Sequence, residues 1–261
     1  MEITFINDEY SPNLDEAITF ARKQELKYIE LRNIDGKNVT DLTIDSAYAY
    51  ADKITSTGIL VSALVTPFLY WYRKENNFGI LGQQVDSQEE YFIKLMDLAD
   101  IFGARYISIY SYLQDDSLTV EELGKQLDEY SQMALERGIE LLLNIDDKCN
   151  INNINKMHQL FENYNFSNIH PLINTGKIIA LNDDYKQNEL QDIINICHYF
   201  HLSDYDSELK RYVTLGEGNV DFEVFLQDKI NDDYTITSLN PATSHSQDLA
   251  MSFNQLVDWL D

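Results

Sequence analysis

The stretch YISIYSYLQDDSLTVEELGKQLDEYSQMALERGIELLLNI, residues 106–145, contains two apolar runs separated by a segment of helical period. The runs YISIYS (106–111) and IELLLNI (139–145) are nearly continuous in apolar residues, which is typical of strands buried on both faces. The segment 119–138 has two glutamates in its first turn and a glycine at its end, as α-helices commonly do. The stretch therefore predicts a strand, a helix and a second strand parallel to the first.

The same alternation continues in both directions along the 261-residue chain. The β-rich runs are 3–7, 28–33, 59–68, 106–111, 139–145, 169–176, 197–203 and 234–240. Helical segments are expected at about 11–24, 43–58, 86–103, 119–138, 151–164, 186–196, from 221 onwards, and within 244–260. Eight such repeats predict an α/β fold, a single (β/α)8 TIM barrel, and barrels of this kind commonly run to ~250 residues as one domain. We therefore expect one domain, residues 1–261.

A doubly wound open sheet is the competing fold. It usually carries a glycine-rich turn after the first strand, but the first turn here, INDEYSPNLD, contains no glycine. The glycines of GEGN (216–219) follow the seventh strand and lack the lysine and spacing of a phosphate-binding loop. We expect GEGN to form a turn before a short helix.

Composition limits the partners. The formal net charge is −25 at pH 7, a field that repels nucleic-acid backbones and anionic membrane surfaces. No run of ~18 apolar residues suggests a membrane span, and the first ten residues, MEITFINDEY, lack the basic and apolar segments of a signal peptide. Cys149 and Cys197 are far apart in sequence and are expected to be free thiols of a cytoplasmic protein.

Polar residues follow most of the predicted strands. TIM-barrel enzymes place their chemistry at the carboxyl ends of the strands, so these residues are the candidates for a functional site. They are Asn7, Glu30, Arg32, Thr66, Tyr110, Asn144, Asp146, Asp147, Asn174, Lys177, His201, Asp204, Asp206, Asn240 and His245. The aromatic run Tyr70, Trp71 and Tyr72 after the third strand could stack on a sugar ring or cover the barrel mouth.

Six motifs, in order along nearly the whole chain, resemble the xylose isomerase-like barrels. They are YIELRN (28–33), SALVTPF (62–68), LLLNIDD (141–147), YFHLSDYD (199–206), GEGNVDFEVFL (216–226) and TSLNPATSH (237–245). This family includes sugar isomerases and epimerases, inosose dehydratase-like proteins and the endonuclease IV branch. The resemblance implies a sugar phosphate isomerase or epimerase-like protein whose ligand binds at the carboxyl ends of the strands.

The resemblance also indicates where a divalent metal would be held. Family members usually hold it by Glu, Asp, His and Glu at the ends of strands five to eight, and these positions match Asn144, Asn174, His201 and Asn240. Three carboxylates have become amides, which bring no negative charge and cannot transfer protons. Lys177 stands where a histidine is often found. We therefore expect no tight metal; if Mn, Mg or Zn were bound after all, Asp146 and Asp147 would be the substitute ligands.

Two functions remain open at this stage. The chain could be a sugar isomerase or epimerase working without metal, with His201 and Lys177 as the best catalytic candidates and Asp204, Glu30 and His245 as further titratable groups. A lysine with a lowered pKa could then act as a base or polarise a carbonyl. The alternative is a non-catalytic binding or accessory protein. Candidates for binding a sugar or polyol are Glu30, Arg32, Tyr70, Trp71, Asn144, Asn174, Lys177, His201, Asn240 and His245. An endonuclease IV-like enzyme is disfavoured by the charge and by the few histidines.

Structural roles compete with these assignments. Each asparagine could simply form hydrogen bonds at a strand end. Glu30 and Arg32 share one face of the second strand and could form an internal ion pair. The aromatic run could form a homodimer contact. Of the other histidines, His158 and His170 are expected on a surface helix and at a strand start, and His198 on the face opposite His201.

Overall fold

The computed structural model describes residues 1–73, 87–181, 186–243 and 246–260. Eight parallel strands form its main sheet: β1 Glu2–Phe5, β2 Tyr28–Leu31, β3 Leu60–Phe68, β4 Tyr106–Ile109, β5 Glu140–Asn144, β6 Ile169–Asn174, β7 Tyr199–Leu202 and β8 Ile236–Leu239. Strands β2 to β8 each pair with the next strand in chain order, and β8 pairs with β1. An isolated parallel bridge between Ile6 and Glu30 joins β1 to β2. The predicted (β/α)8 TIM barrel is therefore confirmed.

Helices lie between the strands. Those of the described residues are α1 Asn7–Tyr10, α2 Leu14–Lys23, α3 Ile44–Thr55, α4 Gln88–Phe102, α5 Val120–Leu135, α6 Ile154–Asn163, α7 Thr175–Leu181, α8 Gln187–Ile196, α9 Phe222–Leu226 and α10 Ser246–Leu260. A short 3-10 turn, Val39–Asp41, and two small ribbons complete the chain; the ribbons pair Asn33–Ile34 with Lys37–Asn38 and Asp204–Asp206 with Arg211–Val213. None of the described helices is long and apolar enough to cross a membrane.

Local signals set the helix ends. Thr119 and Glu122 form a reciprocal capping box at the start of α5, which satisfies two backbone N–H groups that the helix itself leaves unbonded. Ser87 caps α4 by accepting a hydrogen bond from the Glu90 amide. Gly103 ends α4 with a φ of 64°, a left-handed conformation that glycine adopts without strain. The segment 86–103 predicted from sequence therefore matches α4 closely.

Two apolar layers form the core. The larger one lies between the strands and the helices and includes Phe5, Phe68 and Phe200. The smaller layer fills the barrel interior and consists of Ala63, Tyr106, Leu142, Leu172 and Tyr199, with Ile236 packed against it. The Tyr199 hydroxyl lies 3.0 Å from Ser62 Oγ, and the Tyr106 and Tyr199 rings meet edge to face at 5.2 Å. The side chains of this layer therefore fill the barrel interior, as in other TIM barrels.

Both cysteines are free and fully buried. Burial raises the pKa of the Cys149 and Cys197 thiols to about 12, because the charged thiolate is poorly solvated inside the protein. They are inert in the folded protein, since the thiolate is the reactive form.

Candidate functional site

The carboxyl ends of β5 and β6 carry the first two amides singled out by the sequence. Asn144 donates from Nδ2 to the carbonyl of Ile109 on β4, at 3.1 Å. Asn174 Oδ1 accepts from the Lys177 amide at 2.9 Å and from Ser203 Oγ at 2.5 Å. These bonds join neighbouring strand ends and start α7. Both amides therefore make the structural hydrogen bonds that competed with a binding role.

Asn240 differs from the other two amides. It follows β8, and its backbone N–H donates to the carbonyl of Leu202 at 2.9 Å. Its side-chain Oδ1 is buried and has no hydrogen-bond partner in the part of the chain that the structure describes. A buried oxygen without a partner costs free energy, so it is a place where a ligand hydroxyl would be stabilised. His245, the other candidate from this region, lies outside the described residues.

His201 lies inside the barrel beside a fully buried carboxylate. His201 Nε2 is 3.1 Å from Glu30 Oε1 and 3.1 Å from Glu30 Oε2, and Ser238 Oγ donates to Oε2 at 3.0 Å. Glu30 is 0% exposed and His201 is 4% exposed. A buried carboxylate is tolerated only when it is paired and hydrogen-bonded. The imidazole is thus part of an interior network that joins β2, β7 and β8.

The expectation that Glu30 and Arg32 could form an internal ion pair is wrong. Strand β2 ends at Leu31, so the two-residue alternation of a strand does not extend to Arg32. Arg32 turns instead towards α1, where Nε is 2.9 Å from Asp8 Oδ1 and Nη2 is 2.6 Å from Glu9 Oε1. Glu9 also accepts from the Ala242 amide at 3.1 Å. Arg32 therefore connects the start of the barrel to the segment after β8.

Lys177 stands at the mouth beside two aspartates. Its Nζ lies 2.7 Å from Asp147 Oδ1 and 3.2 Å from Asp146 Oδ2. Burial alone would lower the pKa of the ammonium group, but the hydrogen bond with Asp147 and the attraction of Asp146 outweigh it and raise the pKa. The expectation of a lowered lysine pKa is therefore wrong. At neutral pH Lys177 is a fixed cation that can donate hydrogen bonds but cannot accept a proton.

The aromatic run divides between mouth and core. The Tyr70 hydroxyl is 3.5 Å from Asp146 Oδ1, and its ring contacts that of Tyr110 at 4.8 Å, edge to face. Trp71 is 6% exposed and packs edge-on against Phe68 and Tyr91. Because the Trp71 ring lies inside the core, its position does not support the prediction that Trp71 binds sugar. Tyr70 remains as the aromatic side chain next to the charged groups.

A buried aspartate holds the loop before α9, a role that the sequence did not indicate. The carboxylate of Asp204, which is 0% exposed, accepts hydrogen bonds from the backbone amides of Gly216, Gly218 and Val220 at 2.8–3.0 Å. It also accepts from the Tyr205 amide at 2.8 Å. The GEGN segment therefore does form a loop before α9, and its amides are occupied by a carboxylate of the chain itself. Asp204 holds this loop, so it is not free for proton transfer.

A family model described as xylose isomerase-like TIM barrel matches residues 18–235. The chain belongs to the xylose isomerase-like TIM barrel family. No curated protein sequence matches it. Five of the six motifs that carried the resemblance, from YIELRN (28–33) to GEGNVDFEVFL (216–226), lie within the matched range, and TSLNPATSH (237–245) lies beyond its end.

Several solved structures share the fold. The IolI protein, solved with a binding zinc atom, is 17% identical, with a TM-score of 0.76 over 100% of this chain and 98% of that one. The probable 3-DHS dehydratase AsbF from Bacillus anthracis is 13% identical, with a TM-score of 0.76 over 98% and 99% of the two chains. An L-ribulose 3-epimerase is 16% identical, with a TM-score of 0.69 over 100% and 94% of the two chains. At these identities the likeness shows the barrel fold alone.

Proposed function

We propose that this xylose isomerase-like barrel binds a small keto sugar, polyol or sugar derivative at the carboxyl ends of its strands, without a tightly held catalytic metal. One observation carries the proposal. The four positions that would hold a metal in the family carry three neutral amides and one histidine. That histidine is already hydrogen-bonded to Glu30.

The donors at these positions do not fit a dication as arranged. Asn144 is bonded to a strand carbonyl, and Asn174 Oδ1 receives two hydrogen bonds. Hard cations favour carboxylate ligands, because a dication is held largely by negative charge. The nearby carboxylates of Asp146 and Asp147 are paired with Lys177. The ammonium group therefore takes the electrostatic role that a metal would otherwise have beside these aspartates.

The same groups suit sugar hydroxyls. Lys177 and Arg32 donate hydrogen bonds, Asp146 accepts them, and the buried Oδ1 of Asn240 lacks a partner among the described residues. Amides and charged groups at fixed positions recognise hydroxyl patterns, while the ring of Tyr70 offers an apolar face. The mouth thus combines donors, acceptors and one aromatic ring.

A metal-free isomerisation is the second candidate. It is favoured by the contact between a protonated Lys177 and the carboxylate of Asp146. The cation would polarise a substrate carbonyl while the carboxylate accepts the proton from the neighbouring hydroxyl-bearing carbon. The carboxylate would then return the proton to the former carbonyl carbon, as the hydroxyl proton moves to the former carbonyl oxygen. His201 is too buried for this step, because it is 4% exposed and bonded to Glu30. Non-catalytic binding needs neither group to move a proton and is the primary proposal.

The remaining expectations belong with the same proposal. We propose that residues 1–261 act as one domain in the cytoplasm, with neither nucleic acid nor membrane as partner, and that a homodimer is the assembly to test first. Structural relatives with sugar epimerase and dehydratase names support a small-molecule ligand. The large negative charge supports the exclusion of nucleic acid.

The test measures ligand-induced thermal shifts on a panel of keto sugars, polyols and their phosphates. A true ligand at about ten times its Kd stabilises by about 1.4 kcal/mol, which raises Tm by about 3–6 °C for a chain of this size. Tyr70→Ala should reduce the shift, whereas Tyr72→Ala, which removes a ring that is 55% exposed, should keep it. A panel without any shift would contradict the proposal. A stoichiometric divalent ion that is lost in His201→Gln would contradict the metal-free site.

A further inference from the structure

A second cluster of polar side chains lies at the amino ends of the barrel strands, on the face opposite the proposed sugar site. Glu140 is the first residue of β5, His170 is the second residue of β6, and His198 directly precedes β7. His170 Nε2 is 3.1 Å from Glu140 Oε2, and His170 Nδ1 is 2.9 Å from His198 Nε2. One donor atom from each of the three lies within 4.8 Å of the others. The three side chains are thus close enough together to surround one ion.

The strands hold this cluster in place. Leu142 pairs with His170 between β5 and β6, and Leu172 pairs with Tyr199 between β6 and β7, so the cluster spans three hydrogen-bonded neighbours. Arg105 donates from Nε to Glu140 Oε1 at 2.8 Å. This bond fixes the carboxylate and leaves Oε2 turned towards His170. Sites built on strands are more precise than sites on loops.

The cluster is also reachable from solvent. The side chains of His170 and Glu140 are 19% and 17% exposed. They line a cavity of about 390 Å³ together with His198, Tyr106 and Tyr234. A small ion can enter such a cavity, whereas the apolar layer around Tyr199 lies between this face and the barrel mouth. The cluster is therefore a site separate from the one at the mouth.

We propose that Glu140, His170 and His198 bind one Zn²⁺ ion. Two imidazoles and one carboxylate form a donor set that zinc accepts, with solvent completing four-coordination. Imidazole donors suit zinc, nickel, cobalt and copper, whereas magnesium and calcium require oxygen ligands. The net charge of −25 raises the local concentration of cations around the protein.

Small changes convert the hydrogen-bonded cluster into a coordination site. Two nitrogens on a tetrahedral zinc ion are ~3.3 Å apart, given Zn–N bonds of about 2.0–2.1 Å. The facing nitrogens of His170 and His198 are 2.9 Å apart, so a shift of a few tenths of an ångström is enough for the two imidazoles. Glu140 Oε2 now faces the other nitrogen of His170, so its carboxylate has to rotate towards the ion. The hydrogen that the facing nitrogens share moves to His198 Nδ1, which frees both of them for the ion. Because Arg105 offsets part of the carboxylate charge, we expect an exchangeable ion that joins β5, β6 and β7.

The test is Zn²⁺ binding to the full chain, after dialysis against a chelator and its removal, by calorimetry and by thermal unfolding with and without Zn²⁺. Wild type should bind one equivalent and gain stability. His170→Gln and His198→Gln should each weaken Zn²⁺ binding about 100-fold. Loss of a direct ligand should cost at least as much affinity as loss of an outer-shell partner. His158→Gln is the matched control, since His158 also faces a carboxylate, Asp192, at 3.1 Å. Its affinity should stay within about threefold of wild type.

Several results would overturn this zinc site. They are the absence of one-equivalent binding in wild type, binding that survives both cluster variants, and binding that His158→Gln weakens equally. Unfolding without metal shows whether each variant folds. If one does not, the visible spectrum of Co²⁺ bound to wild type still reports whether the ion is four-coordinate, and a six-coordinate spectrum contradicts the site. A zinc ion lost with His170 leaves the metal-free mouth intact, whereas one lost only with His201 overturns both proposals.

Discussion

At the residue scale, Lys177 decides the electrostatics of the barrel mouth. Asp146 and Asp147 follow β5 and would repel each other strongly without a cation between them. Partly buried carboxylates are stabilised by a nearby positive charge, and Lys177 supplies it from the first turns of α7. The mouth therefore needs no external cation as long as this lysine is present.

Because Lys177 neutralises Asp146 and Asp147, we predict that Lys177→Met creates a weak site for Mn²⁺. Removing the ammonium leaves two carboxylates facing each other, and oxygen donors suit this ion. We expect Mn²⁺ to bind at least about tenfold more tightly to the variant than to wild type, measured by titration calorimetry. Lys148→Met is the control, because Lys148 follows the same aspartates but is exposed. Equal affinity in Lys177→Met and Lys148→Met would show that Lys177 does not neutralise the pair.

For single residues, the sequence predicted which side chains lie at the strand ends better than it predicted which side chains they contact. The candidates at the strand ends were found because a barrel places them there. The partner of Glu30, however, is His201, 171 positions later, and no local pattern indicates such a contact. The contact between His170 and His198 was missed for a related reason: alternation applies within a strand, and His198 precedes β7. Side-chain partners across a barrel depend on register and on strand ends.

At the element scale, the loop before α9 folds around one carboxylate. Asp204 begins a ribbon strand and accepts from the amides of Gly216, Gly218 and Val220. Charge-assisted hydrogen bonds of this kind are stronger than neutral ones. Gly218 is needed because a Cβ there would meet the Asp204 carboxylate and would lie 2.8 Å from the backbone carbon of Tyr205. The loop therefore requires glycine at position 218, because any side chain there would clash.

We predict that Gly218→Ala lowers the free energy of unfolding by about 2–3 kcal/mol. The added Cβ cannot be accommodated easily, because backbone amides hold the Asp204 carboxylate in place and the contact with Tyr205 is with its backbone. The control is Gly103→Ala in the left-handed cap of α4, where an added Cβ meets no atom within 4 Å. Conformational strain alone should cost that variant about 1 kcal/mol. Urea unfolding measures both. A smaller loss for Gly218→Ala than for Gly103→Ala would contradict the close packing of the loop.

Long elements were predicted well, and short ones were missed. All eight strands were located to within about two residues, because continuous apolar runs bounded by turn residues are strong signals. Helices α1, Asn7–Tyr10, and α7, Thr175–Leu181, were not predicted. Four and seven residues are too few to show a helical period, and both are held by tertiary contacts at the mouth. The candidate site depends on these two helices, which explains why its geometry was the least predictable part.

At the scale of the whole molecule, the interior network helps to hold the barrel together. Glu30 belongs to β2, where the isolated bridge with Ile6 joins the two ends of the sheet. His201 and Ser238 contact its carboxylate from β7 and β8. These contacts cross the interior and add to the ladder of backbone hydrogen bonds. The network is expected to be cooperative, because all three groups share one carboxylate.

A double-mutant cycle tests this network. Glu30→Leu and His201→Leu should each cost about 3–5 kcal/mol, since each leaves a buried polar partner unpaired. The double variant should cost less than the sum by about 1–3 kcal/mol, because it removes both partners. Denaturant unfolding with far-UV circular dichroism gives the four free energies. Strict additivity would show that the two side chains do not interact in the folded barrel.

The apolar layer inside the barrel has a consequence for how the two faces can be used. Tyr199 and its neighbours separate the solvent at one end from the solvent at the other. Because these side chains fill the barrel axis, an occupant of one end does not touch an occupant of the other. Ligands of the two ends should therefore bind independently of each other. Any communication between the ends would have to pass through movement of the strands themselves.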